Sequence, residues 1–167
     1  WCYTEDSVYV LEQERLFRGG WVSVGREDRW QNPGDYVALE VGGTPIIVLR
    51  GEDGTLRSFA NSCRHRGMLL LTPGDGHCER ITCPFHGWNY RLDGSLQAAP
   101  KMADAVDFDT NNYGLIEISL ATRAGFVFVN LDGRAGSIDD WLGDFEALHR
   151  PWSLGTAVTG YRSEFEL

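Results

Sequence analysis

The chain has 167 residues, 43% of them hydrophobic and 12% aromatic, and a formal net charge of −9. That length suits about one domain with a real core, and the acidic balance argues against nucleic acid and anionic membranes as partners. The longest apolar runs, 45–49 and 126–129, fall far short of the roughly 18 residues of a membrane span, and no signal-peptide pattern opens the chain, so a cytoplasmic protein is expected.

In chain order, Asp6 or Ser7 can cap a helix over residues 7–18, which Gly19-Gly20 would end. From Trp21 onward the pattern turns to short strands. Residues 36–41 and 46–50 alternate or run apolar, and Asp53-Gly54 reads as a tight hairpin turn before a strand over 56–60. Asp93-Gly94 marks another hairpin, and 115–121 with 125–130 form a further strand pair. After Asp132-Gly133 a helix is expected. Ser137 with Asp140 resembles a capping box, and Ile138, Trp141, Leu142, Phe145 and Leu148 recur at helical spacing, a stripe read as core. Residues 161–167 alternate and read as a last strand. The fold class predicted is all-β: an antiparallel β-sandwich flanked by short N- and C-terminal helices.

Two short boxes carry the chemistry: Cys63-Arg64-His65-Arg66-Gly67 and Cys83-Pro84-Phe85-His86-Gly87-Trp88. Each offers one thiolate and one imidazole, spaced Cys-x-His, seventeen residues (66–82), then Cys-x-x-His. In an Fe–S cluster with two imidazoles in place of two thiolates, ligands divide by type between the irons. Cys63 and Cys83 would then hold one iron, and His65 and His86 the other. Mixed boxes suit that division, because each loop spans both metals. A Cys2His2 zinc site has the same ligand inventory, but zinc modules usually pair like with like.

The flanking residues extend the pattern. Asn61-Ser62 before the first box, Trp88-Asn89-Tyr90-Arg91-Leu92-Asp93-Gly94 after the second, 11–17, Pro33-Gly34-Asp35-Tyr36 and 125–132 form an ordered series. The chain thereby resembles the Rieske oxygenases, the ring-hydroxylating family, over nearly its whole length. The resemblance implies a Rieske-type sandwich whose hairpin loops bind a 2Fe–2S cluster at Cys63, His65, Cys83 and His86, with Arg66, Gly67, Trp88 and Tyr90 around them. It divides the chain into an N-terminal helical lead (1–19), a Rieske domain (20–134), and a helix and strand (135–167) leading toward a catalytic domain.

The same resemblance implies a redox relay. Electrons would come from a reductase or ferredoxin, rest on the cluster, and pass to a mononuclear non-haem iron that activates O2 in a homo-oligomer, a trimer in this family. Respiratory Rieske proteins carry an additional disulfide and a serine donor to a cluster sulfur; Met68, Phe85 and Trp88 stand at those positions here. Tyr90 stands where the family often has a tyrosine donating to a ligand sulfur. Fewer donors imply the lower part of the roughly −150 to +300 mV Rieske range. A free-standing Rieske ferredoxin is the alternative, and a structural zinc domain a third.

The remaining histidines, His77 and His149, stand 72 positions apart and read as surface residues, so no catalytic residue is assigned within the chain. Cys2 and Cys78 read as free thiols in a reducing compartment. Arg64, Arg66 and Arg80 read either as a local basic patch for an acidic donor or as braces of the loops.

Overall fold

The computed structural model describes residues 3–102, 105–161 and 163. Its architecture turns on the run Ile46-Ile47-Val48-Leu49, in which every side chain is fully buried. A strand apolar at successive positions must be covered on both faces. This strand, β3 (Thr44–Arg50), lies between β2 (Asp35–Val41) and β4 (Leu56–Ala60), antiparallel to both. With β1 (Val22–Arg26), β5 (Gly74–His77), β9 (Glu117–Arg123) and β10 (Phe126–Asn130) they form a seven-stranded sheet in the order β1-β10-β9-β4-β3-β2-β5. A second sheet has three short strands, β6 (Ile81–Thr82), β7 (Asn89–Tyr90) and β8 (Leu96–Ala98), in sequence order.

Alternate residues of β3 serve two cores. Ile46 and Val48 pack with Val37 and Val41 of β2, Val24 of β1, and Val127 and Val129 of β10. Those strands stand far apart in the sheet order, so the sheet curls over on itself. Trp30 fills this core, and its indole N–H donates to the Val48 carbonyl at 3.0 Å. Ile47 and Leu49 face the other way, with Phe59, Ile81, Trp88, Tyr90, Leu92, Leu96, Cys63 and Cys83. Both box cysteines thus grow out of the second core. The turn at Asp93-Gly94 joins β7 to β8, where Gly94 has φ +84°, and a Cβ there would stand 2.5 Å from the Phe59 ring.

The all-β class and the central strands agree with the sequence reading; the helices differ from it. The lead is an α-helix, α1 (Asp6–Glu12), continued as a π-helical stretch, Gln13–Arg18. Neither Asp6 nor Ser7 caps it: Glu5 takes the N-cap position in an extended conformation with no side-chain hydrogen bond. The wider turn ends where the Gly19 N–H reaches the Glu14 carbonyl at 3.1 Å. Gly20 lies against Trp141, whose ring leaves no room for a Cβ.

The expected C-terminal helix is two helices, α2 (Ile138–Leu142) and α3 (Phe145–His149), separated at Gly143, where φ is +51°. Ser137 caps α2 as expected, its Oγ accepting from the Asp140 N–H at 3.1 Å. The apolar stripe is not core. The break at Gly143 divides the stripe, leaving Ile138 buried while Trp141 is 47% and Leu148 69% exposed. The last strand expected over 161–167 lies outside the described residues except for Tyr161 and Ser163, which are in no strand. Cys2 also lies outside them.

Candidate metal centre

The two boxes fold as twin loops. In the first, the Cys63 N–H donates to the Met68 carbonyl at 2.8 Å and the Gly67 N–H to the Cys63 carbonyl at 2.8 Å. In the second, the Cys83 N–H donates to the Trp88 carbonyl at 2.7 Å and the Gly87 N–H to the Cys83 carbonyl at 3.1 Å. Each loop closes through a glycine four residues after its cysteine, Gly67 at φ +72° and Gly87 at φ +71°. This left-handed backbone is strained for residues with a Cβ, so the glycine of each box is set by the loop's geometry.

The first loop follows β4 and is pinned by Asn61, a buried side chain whose Oδ1 accepts from the N–H groups of Leu70 (3.1 Å) and Leu71 (3.0 Å). Its Nδ2 donates to the Leu71 carbonyl at 2.7 Å. The second loop links β6 to β7, which are paired through Ile81↔Tyr90 and Thr82↔Asn89. Sequence reasoning placed Asn61 in a family landmark but assigned it no role. Its position just before the box was the available signal.

Cys63 and Cys83 are 3% and 2% exposed, and neither is in a disulfide. The His65 and His86 rings stand 4.7 Å apart, centroid to centroid. Among the described residues, no three His, Cys, Asp or Glu side chains converge on one ion-sized position. His65 Nδ1 is buried and, among the described residues, without a hydrogen-bond partner, an atom that a bond to metal would satisfy. His86 is exposed, and slight desolvation, reinforced by the positive charge of His65, Arg66 and Lys101, holds it below the usual imidazole range. The neutral form is the metal-binding one.

Tyr90 sits under the first loop. Its hydroxyl accepts from the Arg64 N–H at 3.0 Å, which leaves its own proton for Cys63 Sγ at 3.3 Å. Burial pushes the phenol well above its ordinary value, and the Cys63 contact adds to this. Trp88 stacks on His65, with centroids 4.9 Å apart and planes within 7°. Phe108 and Tyr113, which sequence reasoning did not single out, pack edge-on against Trp88. Phe85 (60% exposed) and Met68 (42%) flank the loop tips.

Arg64 and Arg66 are exposed beside the tips, and among the described residues their side chains bond to no carboxylate or carbonyl. They do not brace the loops. Arg80 instead lines a separate groove with Pro33, His77 and Arg91. His77 donates through Nδ1 to the Asp35 carboxylate at 3.0 Å, while His149 bonds the Phe145 carbonyl through Nδ1 at 2.7 Å. The two remaining histidines do not meet. Cys78 is half-buried, which pushes its thiol up.

Comparison with known proteins decides what this arrangement belongs to. The profile of the Rieske [2Fe-2S] domain matches residues 20–115. The chain belongs to that family. Oxygenase subunits are among the relatives that this chain matches over part of their length. The carnitine monooxygenase oxygenase subunit of Acinetobacter pittii (strain PHEA-2) is 38% identical over 91% of this chain and 41% of its own length. The chlorobenzene dioxygenase subunit alpha of Cupriavidus sp. (strain PS12) is 35% identical over 85% of this chain and 32% of its own. A crystal structure of a quaternary ammonium Rieske monooxygenase in complex with L-carnitine superposes with a TM-score of 0.84 at 36% identity, over 92% of this chain and 44% of that one. The chain therefore spans less than half of the length of these relatives.

The residues present fit the family's 2Fe–2S cluster. Two buried thiols, two adjacent imidazoles and an orphaned ring nitrogen suit ligation two by two across a pair of irons. Among the described residues, no helix is long and apolar enough to cross a membrane.

Proposed function

We propose that this chain is the electron-relay portion of a Rieske oxygenase, with Cys63 and Cys83 on one iron and His65 and His86 on the other. The observation that carries this reading is the pair of twin loops, which bring two buried cysteines and two neighbouring imidazoles to one end of the molecule. When bound, the cluster supplies a one-electron store. The protein's part is to fix the ligands on rigid turns, exclude water from the sulfur side through the second core, and leave His86 exposed at the tip as the point of exchange. Residues 20–134 would form the relay domain, with 1–19 as a lead and 135–167 leading toward a catalytic portion that holds a mononuclear non-haem iron.

The donor would be a reductase or ferredoxin. Arg66 and Lys101 stand by the exposed His86, a local positive site on a chain of net charge −9. An acidic donor would be steered there rather than to the rest of the surface. A reducing cytoplasm suits thiolates that must stay free for iron, and a homo-oligomer, a trimer as in the family, would let one subunit's relay serve another's iron. Relatives named for carnitine and for chlorobenzene match this portion nearly equally, so substrate choice belongs to the catalytic portion.

Metal analysis tests the reading. The purified chain should hold two irons and two acid-labile sulfides per molecule, and Cys63→Ala or Cys83→Ala should abolish both. Stoichiometric zinc without visible absorbance, after expression in iron-replete medium, would refute it.

A further inference from the structure

Four buried side-chain nitrogen or oxygen atoms in the described residues have no hydrogen-bond partner: Arg26 Nε, Ser58 Oγ, His65 Nδ1 and Trp88 Nε1. Two of them belong to one stacked pair at the centre. Trp88 is 1% exposed and lies parallel to His65, while Phe108 and Tyr113 press edge-on against it with centroids 5.6 and 5.8 Å away. Wedged in this way, the indole cannot turn toward bulk water. Buried indole N–H groups nearly always find an acceptor. Among the described residues no protein atom provides one, the sulfurs of Cys63 and Cys83 included; the side-chain hydrogen bond made by that pair of cysteines is that of Cys63 with Tyr90.

We propose that Trp88 tunes the cluster by donating its indole N–H to an inorganic sulfide, an acceptor that the described residues do not supply. This rests on the cluster assignment made above. The stack on His65 keeps the indole against a ligand ring, and Phe108 and Tyr113 lock its rotamer. A hydrogen bond to sulfide favours the more negative, reduced cluster and so raises its potential. Trp88 is in this sense a positioning and tuning residue of the electron-transfer step, with no part in binding the metal.

The test replaces Trp88 by 3-benzothienylalanine, which keeps the bicyclic shape and exchanges N–H for sulfur, and in parallel makes Trp88→Phe. Iron, sulfide and midpoint potential are measured on each cluster-loaded protein, and pulsed EPR is run on reduced wild type and Trp88→Phe carrying 15N-indole tryptophan. The expected result is a lower midpoint in both variants at full iron and sulfide content, with a 15N coupling to the cluster in wild type that Trp88→Phe lacks. A purely structural role would change loading and leave the midpoint of the loaded fraction in place. An unchanged midpoint in the fully loaded analogue, or no tryptophan coupling in loaded wild type, overturns the proposal while the cluster reading stands. Should Trp88→Phe fail to load, the analogue and the labelled wild type still decide. Wild type without iron and sulfide refutes the cluster reading, and this inference with it.

Discussion

Tyr90 illustrates how one side chain at the centre combines two roles. It accepts from the Arg64 N–H, which holds the first loop, and presents its own proton to Cys63 Sγ. Tyr90→Phe removes both. The phenylalanine keeps the ring in the second core, so cluster content should be retained. The lost donor to a ligand sulfur should lower the midpoint potential, and the unpaired Arg64 amide should cost about 1 kcal/mol of stability. Voltammetry and thermal melting on the same loaded sample separate the two effects. A Tyr90→Phe protein with an unchanged potential would show that the hydroxyl does not bond the thiolate.

Elements, rather than single ligands, hold the loops in register. Asn61 follows β4 and makes three hydrogen bonds with one stretch of backbone, accepting from the Leu70 and Leu71 N–H groups and donating to the Leu71 carbonyl. Asn61→Ala leaves those buried groups unpaired and should destabilise the protein by about 2–3 kcal/mol, with accelerated cluster loss on heating, read by the decay of visible absorbance. At the sheet edge, Asp35 of β2 stands opposite His77 of β5. Its carboxylate accepts from His77 Nδ1 and from the Asn32 N–H, which together hold its pKa below the ordinary value. A depressed folded-state pKa gives stability that is fully present above the unfolded value of about 3.9 and is lost as pH falls through the folded value. Asp35→Asn should therefore cost about 1 kcal/mol at pH 7. Its denaturation midpoint should converge with wild type below about pH 4. A gap that persisted undiminished into acid would assign the effect to packing.

At the scale of the whole molecule, charge and exposure set what the chain can do by itself. The centre lies at a tip where Phe85, Met68 and His86 are exposed and, among the described residues, Arg64 and Arg66 are unpaired. Pre-reduced chain should pass one electron to a cytochrome or a chemical acceptor, and uptake from an acidic donor should slow as salt rises, because screening at 0.15 M already limits such steering to about 8 Å. Single turnovers with O2 and a panel of aromatic and quaternary-amine substrates should yield no product, since His77 and His149 lie on separate elements and neither belongs to an open iron site. Product from the 167-residue chain that is lost on mutating His77 or His149 would overturn a relay-only role.

Local rules made much of this legible. The mixed Cys and His boxes, the glycines closing each loop, the Asp-Gly turns and the doubly apolar run of β3 each follow from a side chain's own chemistry or a neighbour's spacing, which a sequence displays directly. The sequence by itself therefore determined the all-β class, the central strands, the family resemblance and the four candidate ligands. Only the tertiary structure decided what depends on distant segments meeting. Trp88 could not be placed on His65 before the second loop was packed against the first, nor could the three bonds of Asn61 be read from its own neighbours. The apolar stripe of 138–148 had core-like spacing, yet Gly143 redirects the chain and leaves Trp141 and Leu148 largely exposed. Periodicity records which residues share a face of an ideal helix; whether that face meets another element depends on backbone turns and contacts made far away in the chain.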